Sequence, residues 1–217
     1  MPTALLPTNA PIPPRRKRLR LAALLAGLAA VHFSGAAANA KIVVEANTLT
    51  IAGSGVLNIR NNALIVRLGD YATIYNYVLN GFNGGTWDGL GGINSSTAAA
   101  DPTHLSAVGI LDNAEAHYTT WEGRLLPGGA EILVEYTYIG DANLDGSLDQ
   151  ADLDLFGTGS GWYHGDFNYD GAVNATDLAL FYSTRQALTG EAPEPGALSL
   201  LAAGVAVLSQ RRGRRAV

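Results

Sequence analysis

Two aspartate-rich segments in the C-terminal half of the chain repeat each other at a fixed offset. The first begins at Asp141 and the second at Asp166, and each position of one matches the position 25 residues later in the other. Eight aspartates lie between Asp141 and Asp177, with no lysine, arginine or glutamate among them. Because like charges at this density repel one another, a folded state of this region needs bound cations.

The spacing of oxygen-bearing residues in each segment is that of a calcium loop of the EF-hand type. Ligands stand at positions 1, 3, 5, 7, 9 and 12, position 7 offers its main-chain carbonyl, and a glycine at position 6 permits a sharp turn. Gly146 and Gly171 occupy that position. The predicted ligands are Asp141, Asn143, Asp145, Ser147, Asp149 and Asp152 in loop 1, and Asp166, Asn168, Asp170, Ala172, Asn174 and Asp177 in loop 2.

Two Ca²⁺ ions are the cofactors that these ligands predict. Hard oxygen ligands favour calcium over zinc, and the chain contains no cysteine. Magnesium fits less well because it keeps its waters and rarely fills a cage made only of protein ligands.

Each repeat is predicted to be a loop followed by a single helix. The apolar residues of segment 132–138 alternate as in a strand, so no helix enters loop 1. Helices are expected to begin near Asp149 and Asn174, and the glycines of segment 157–161 should end the first one early. Position 12 is Asp in both loops, where an EF-hand sensor has Glu.

With these features, residues 140–190 resemble the type I dockerin module, which is a pair of calcium-binding loop–helix repeats. The resemblance implies that the two helices pack antiparallel. It also implies that positions 10 and 11 of each repeat form a face that docks a cohesin-type protein. The matching residues are Gln150, Ala151, Ala175 and Thr176. Because the calcium ligands barely assemble in an unfolded chain, removal of calcium should unfold residues 140–188 and leave most of the upstream strands intact.

The N-terminal 40 residues have the layout of a secretory signal peptide. A basic run at 15–20 precedes an apolar run at 21–31, and the small residues Ala38 and Ala40 mark a cleavage site. The apolar run is shorter than the roughly 20 residues that span a bilayer. Cleavage after Ala40 would make Lys41 the first residue of a secreted protein.

Residues 191–217 contain a tripeptide, an apolar stretch at 196–209 and an arginine cluster, in that order. This order resembles the bacterial PEP-CTERM sorting signal. The resemblance implies processing near the tripeptide by an exosortase-type enzyme, transient contact with the membrane, and a final location at the cell envelope or outside the cell. The residues that carry it are Pro193, Glu194, Pro195, Arg211 and Arg212.

Residues 41–190 hold 17 of the 19 acidic residues and only five basic ones, a formal charge of −12. A nucleic-acid partner is therefore not expected, because binding of nucleic acid depends on a basic surface.

Residues 41–139 are predicted to form a mainly β domain, either the last coils of a β-solenoid or a small sandwich with short helices. Strands are expected at 49–51, 57–59 and 64–68, followed by a helix that Asp70 caps and Gly81 ends. Asp101 and Pro102 should open a second short helix through residue 111. A hairpin should then pair segment 118–126 with segment 131–139 across a turn at 127–129.

No sequence pattern for a catalytic centre is recognisable, and we predict that the protein is not an enzyme. Glu131 and Glu135 should form the polar face of the last strand. A glycosidase pair among Glu115, Glu122, Glu131 and Glu135 is the alternative. The leading hypothesis is a secreted calcium-binding protein of the cell envelope or polysaccharide matrix. The alternatives are an adaptor that docks a cohesin-type partner in polysaccharide degradation, and a carbohydrate-active enzyme.

Overall fold

A computed structural model describes residues 41–190, which form mixed β-sheets and short helices. The strands are β1 (Val43–Ala46), β2 (Val56–Asn58), β3 (Ala63–Val66), β4 (Gly92–Asn94), β5 (Ser106–Asp112), β6 (Thr120–Trp121), β7 (Arg124–Leu125) and β8 (Ile132–Tyr138). The helices are α1 (Tyr71–Phe82), α2 (Ser96–Ala99), α3 (Asn113–Ala116), α4 (Gln150–Leu155) and α5 (Ala175–Thr189), with 3₁₀ turns at Asn83–Gly85 and Trp162–His164. The predicted signal peptide and sorting signal lie outside this range. Within 41–190 no helix is both long and apolar enough to cross a bilayer.

The largest sheet has four strands in the order β1-β3-β8-β5. β1 and β3 run parallel, with Val43 opposite Ala63, and β2 pairs with β4 in parallel. β8 is antiparallel to both of its neighbours. In both pairs one other strand lies between the partners along the chain, and parallel pairing of such alternate strands is how successive coils of a solenoid stack. The antiparallel half of the sheet makes the whole a mixed sheet instead.

α1 begins and ends close to the predicted positions. The Asp70 side chain accepts a hydrogen bond from Thr73 N at 2.9 Å, as a helix cap does. The helix passes through Gly81 and ends at Phe82. A Cβ atom on Gly81 would lie 1.7 Å from the carbonyl oxygen of Ile93, so this glycine permits close packing on β4 rather than ending the helix.

The predicted helix after Asp101 is wrong, because residues 106–112 form β5. Six of its seven residues are buried, and a short, fully buried strand lacks the alternation that distinguishes it from a buried helix. Asp101 instead holds a turn, since its carboxylate accepts hydrogen bonds from the main-chain N–H groups of Thr103 and Ser106.

The predicted hairpin between 118–126 and 131–139 is also wrong. β6 and β7 pair with each other, and β8 lies between β3 and β5. β8 is buried over most of its length and can satisfy its main-chain groups on both edges only at the centre of a sheet. The first strand also differs from the prediction, because it is Val43–Ala46, whereas Leu49 and Ile51 only pack against the core.

Glu131 and Glu135 do not form a polar face, because each is only 1 % exposed. Glu131 accepts a hydrogen bond from Gly128 N at 2.9 Å and lies 3.5 Å from the Arg67 guanidinium, and Glu135 pairs with Lys41.

One hydrophobic core extends across the boundary predicted between residues 139 and 140. It joins Ile65 and Val108 of the four-stranded sheet to Leu144, Trp162 and Phe181 of the repeat region. The two aspartate loops are therefore packed onto the strands.

Candidate calcium-binding loops

The first aspartate of each loop makes the same two hydrogen bonds. Asp141 accepts one from Asp145 N at 3.2 Å and one from Gly146 N at 3.1 Å. Asp166 accepts the equivalent bonds from positions 5 and 6 of loop 2, both at 3.1 Å. The main chain of each loop therefore turns around the carboxylate at its position 1.

The last aspartate of each loop closes it from the other side. Asp152 accepts hydrogen bonds from Ala142 N at 2.8 Å and from Asp149 N at 2.9 Å. Asp177 accepts the same pair from positions 2 and 9 of loop 2, both at 3.0 Å. These two aspartates also complete capping boxes at the starts of α4 and α5.

The helices begin directly after position 9, where the sequence predicts them. Asp149 caps α4 through Ala151 N at 2.7 Å, and Asn174 caps α5 through Thr176 N at 2.8 Å. α4 has six residues and stops before Gly157, whereas α5 has fifteen. The antiparallel packing of the two helices stays a prediction.

The backbone of the two loops is left-handed at the same places. Gly146 and Gly171 at position 6 have φ of 84° and 83°. At position 4, Leu144 and Tyr169 both have φ of 56°, which is uncommon for residues other than glycine. The predicted turn glycines therefore lie at positions that require glycine. The two loops also share a left-handed residue at position 4, which the sequence did not indicate.

Four of the loop carboxylates are almost inaccessible to solvent. Asp141, Asp166 and Asp177 are 0 % exposed and Asp152 is 1 % exposed. Burial, together with the negative charge of Asp152, raises the pKa of Asp141 to about 7, although a hydrogen bond from Thr137 lowers it. Burial and the neighbouring Asp177 likewise raise the pKa of Asp166. No salt bridge within residues 41–190 involves a loop aspartate. A bound cation would therefore stabilise the ionised form of these groups.

The predicted ligands are of the chemical type that calcium prefers, because all of them are oxygen atoms. Each loop supplies carboxylates, at least one amide side chain and one main-chain carbonyl. Within residues 41–190, however, no group of three or more His, Cys, Asp or Glu side chains lies close enough together to hold a metal ion. The hydrogen bonds above explain this, since the carboxylates of positions 1 and 12 point at main-chain N–H groups. Metal binding would require part of these bonds to be exchanged for metal–oxygen contacts.

Aromatic side chains from outside loop 1 anchor it through hydrogen bonds that the sequence does not indicate. Tyr118 donates its hydroxyl to the carbonyl oxygen of Asn143 at 2.9 Å, and Trp121 donates Nε1–H to that of Leu144 at 3.0 Å. Trp162 donates to the carbonyl oxygen of Asp141 at 2.7 Å. A buried tyrosine or tryptophan usually finds a partner for its polar atom, but the sequence does not indicate which partner.

Loop 2 is anchored by its own position 4. Tyr169 donates its hydroxyl to the carbonyl oxygen of Val108 in β5 at 2.5 Å, and its ring stacks on Trp162 with centroids 5.5 Å apart. Its ring also contacts Tyr75 and Phe82 of α1. Tyr169 therefore joins the loop to the sheet and to α1.

The residues predicted to dock a partner lie on the surface. Gln150, Ala151, Ala175 and Thr176 are all exposed, at the starts of α4 and α5. His164, two residues before loop 2, contacts Thr158 Oγ1 at 2.7 Å and Glu115 Oε2 at 2.8 Å.

No protein-family model, curated protein or solved structure matches this chain.

Proposed function

We propose that the protein is a secreted, non-catalytic calcium-binding protein whose two loop–helix repeats, similar to those of a type I dockerin, each hold one Ca²⁺. The observation that carries this proposal is the pair of matching hydrogen-bond networks, in which buried carboxylates lack a cationic partner within residues 41–190. Calcium bound there would supply the missing positive charge. The ligands would be the six predicted positions of each loop.

Within each loop the residues have distinct tasks. Positions 1 and 12 lie at the buried base of the loop and bring its two ends together. Positions 3 and 5 lie nearer the solvent, where Asn143 donates to Asp145 at 2.9 Å and Asn168 donates to Asp170 at 2.9 Å. Position 9 offers an oxygen while it caps the following helix.

Calcium titration by calorimetry tests the proposal. We expect two binding events for the full chain, with affinities suited to extracellular calcium, at the weak end about 0.1–1 mM. Asp141→Ala should remove one event, and Asp166→Ala should remove the other. Asp154→Ala is the matched control, since Asp154 is an exposed aspartate on α4 outside the ligand positions. Retention of both events in Asp141→Ala would contradict the proposal.

The proposed destination is the cell envelope or the extracellular matrix, reached through the signal peptide and the PEP-CTERM-like tail. These segments lie outside the described residues, and the order of their basic, apolar and cleavage-site parts supports the proposal. Mass spectrometry of the secreted protein should find a chain that begins at Lys41 and lacks Arg211–Arg215. A mature form that keeps the arginine cluster would contradict processing by an exosortase-type enzyme.

A second candidate function, an adaptor for a cohesin-type partner, is favoured by the exposure of the four residues at positions 10 and 11. A pull-down with a cohesin-type protein in calcium should then succeed and should fail with all four residues replaced. Equal capture of both forms would argue against this docking face.

A further inference from the structure

The two loops differ at position 9, which is Asp149 in loop 1 and Asn174 in loop 2. Positions 1, 3, 5 and 12 are the same residue types in both loops. Loop 1 therefore has four carboxylates among its predicted ligands, whereas loop 2 has three. In calcium loops the number of charged ligands is one of the factors that set affinity.

The structure adds a second difference at the same position. The Asn174 side chain donates Nδ2–H to the carbonyl oxygen of Ala172 at 3.0 Å, and that oxygen is the predicted position-7 ligand of loop 2. A carboxylate at position 9 has no N–H to donate, so Asp149 cannot engage the Ser147 carbonyl in this way. A ligand oxygen in loop 2 is thus held by a hydrogen bond that loop 1 cannot form.

Different aromatic side chains anchor the two loops, but the main-chain contacts of their position-1 and position-12 carboxylates are closely matched. The position-1 carboxylates are equally buried, and the position-12 carboxylates make equivalent hydrogen bonds. Asp141 also accepts a hydrogen bond from the Thr137 hydroxyl, and Asp166 lies near Tyr75, where burial and the charge of Asp166 raise the pKa of the Tyr75 hydroxyl. Position 9 is the difference that changes the number of charged ligands.

We infer that loop 1 binds Ca²⁺ more tightly than loop 2, and that residue 9 of each loop sets the difference. This inference rests on the proposed calcium-binding function. One additional negative charge near a divalent ion at the protein surface corresponds to roughly tenfold in the dissociation constant. Loop 1 should therefore fill first as calcium is added.

The test is a calcium titration of the full chain. NMR signals of the main-chain amides of Gly146 and Gly171 are recorded at each calcium concentration. Each of these amides donates to the position-1 carboxylate of its own loop, at 3.1 Å in both cases, so each reports one site. In the unaltered chain the Gly146 signal should change at roughly tenfold lower calcium than the Gly171 signal.

Reciprocal substitutions supply the matched controls. Asp149→Asn should weaken loop 1 roughly tenfold, and Asn174→Asp should strengthen loop 2 and free the Ala172 carbonyl. The double variant should reverse the order of filling. Aspartate and asparagine are comparable helix caps, so α4 and α5 should persist in all three variants, as circular dichroism would verify.

The possible outcomes separate the inference from the proposed function. Simultaneous changes at both glycines in the unaltered chain, or an order that the double variant does not reverse, would overturn the inference while calcium binding stands. If neither amide responds to calcium, the proposed function itself is wrong.

Discussion

Asp101 holds the turn that leads into β5 by accepting several hydrogen bonds at once. Its Oδ1 atom accepts from Thr103 N at 2.9 Å, and its Oδ2 atom accepts from Leu105 N at 3.1 Å and from Ser106 Oγ at 2.6 Å. Although burial raises the pKa of this carboxyl group, the hydrogen bonds from Ser106 and Thr103 lower it by more, so the pKa lies well below its ordinary value of 3.8.

The sign of the resulting pH dependence follows from this lowered pKa. The ionised group stabilises the fold fully above its unfolded-state pKa, and the contribution is lost as the pH falls through the acid range toward the folded-state pKa. Asp101→Asn should therefore reduce the free energy of unfolding by about 1 kcal/mol at pH 7 and by less at pH 3. Urea unfolding at both pH values measures this, with Asp154→Asn as an exposed control. A deficit that grew toward pH 3 would contradict the argument.

Gly81 allows α1 to pack closely on β4. The sequence indicates a helix end at this glycine, whereas the structure places it against Ile93, where a Cβ would be 1.7 Å from the carbonyl oxygen. Gly81→Ala should lower the free energy of unfolding by about 1–3 kcal/mol through overpacking, in spite of the better helix propensity of alanine. Asn76→Ala, on the exposed side of α1, should have little effect in the same thermal melt. A stabilised Gly81→Ala variant would show that α1 and β4 are not in close contact.

At the level of elements, the local features were predictable and the partners of each strand were not. The starts of α4 and α5 follow from residues within a few positions of each cap, and these predictions are confirmed. The sequence predicts a helix at β5 because the buried run of this strand has no alternation. It predicts the wrong partner for β8 because nothing in a strand's own residues identifies its neighbours in the sheet. The turn glycines of the loops were predicted, but their aromatic anchors come from distant segments and left no local pattern.

The hairpin of β6 and β7 should support loop 1 through Trp121. Trp121→Phe keeps a buried aromatic ring but removes the Nε1–H that donates to the carbonyl oxygen of Leu144. That buried oxygen would lose its partner, which should cost about 1–3 kcal/mol of stability and should weaken calcium binding at loop 1. Leu125→Ala, at a 73 % exposed residue of the same hairpin, is the control. Thermal melts measure the stability, and calcium titrations measure the affinity. Unchanged calcium affinity in Trp121→Phe would show that the hairpin does not support calcium binding at loop 1.

For the whole molecule, the shared core changes what removal of calcium should do. The sequence alone favours separate unfolding of residues 140–188, but Leu144, Trp162 and Phe181 are buried in the same core as the strands. Since calcium that binds only the folded state stabilises it by RT ln(1 + [Ca²⁺]/Kd) for each site, chelation should destabilise the strands and the repeats together. Hydrogen exchange in EDTA should therefore accelerate at the amides of β5 and β8 as well as at those of α5. The same experiment in excess calcium is the control. Loss of protection in α5 alone, with β8 unaffected, would show that the repeats unfold as an independent module in spite of the core that they share.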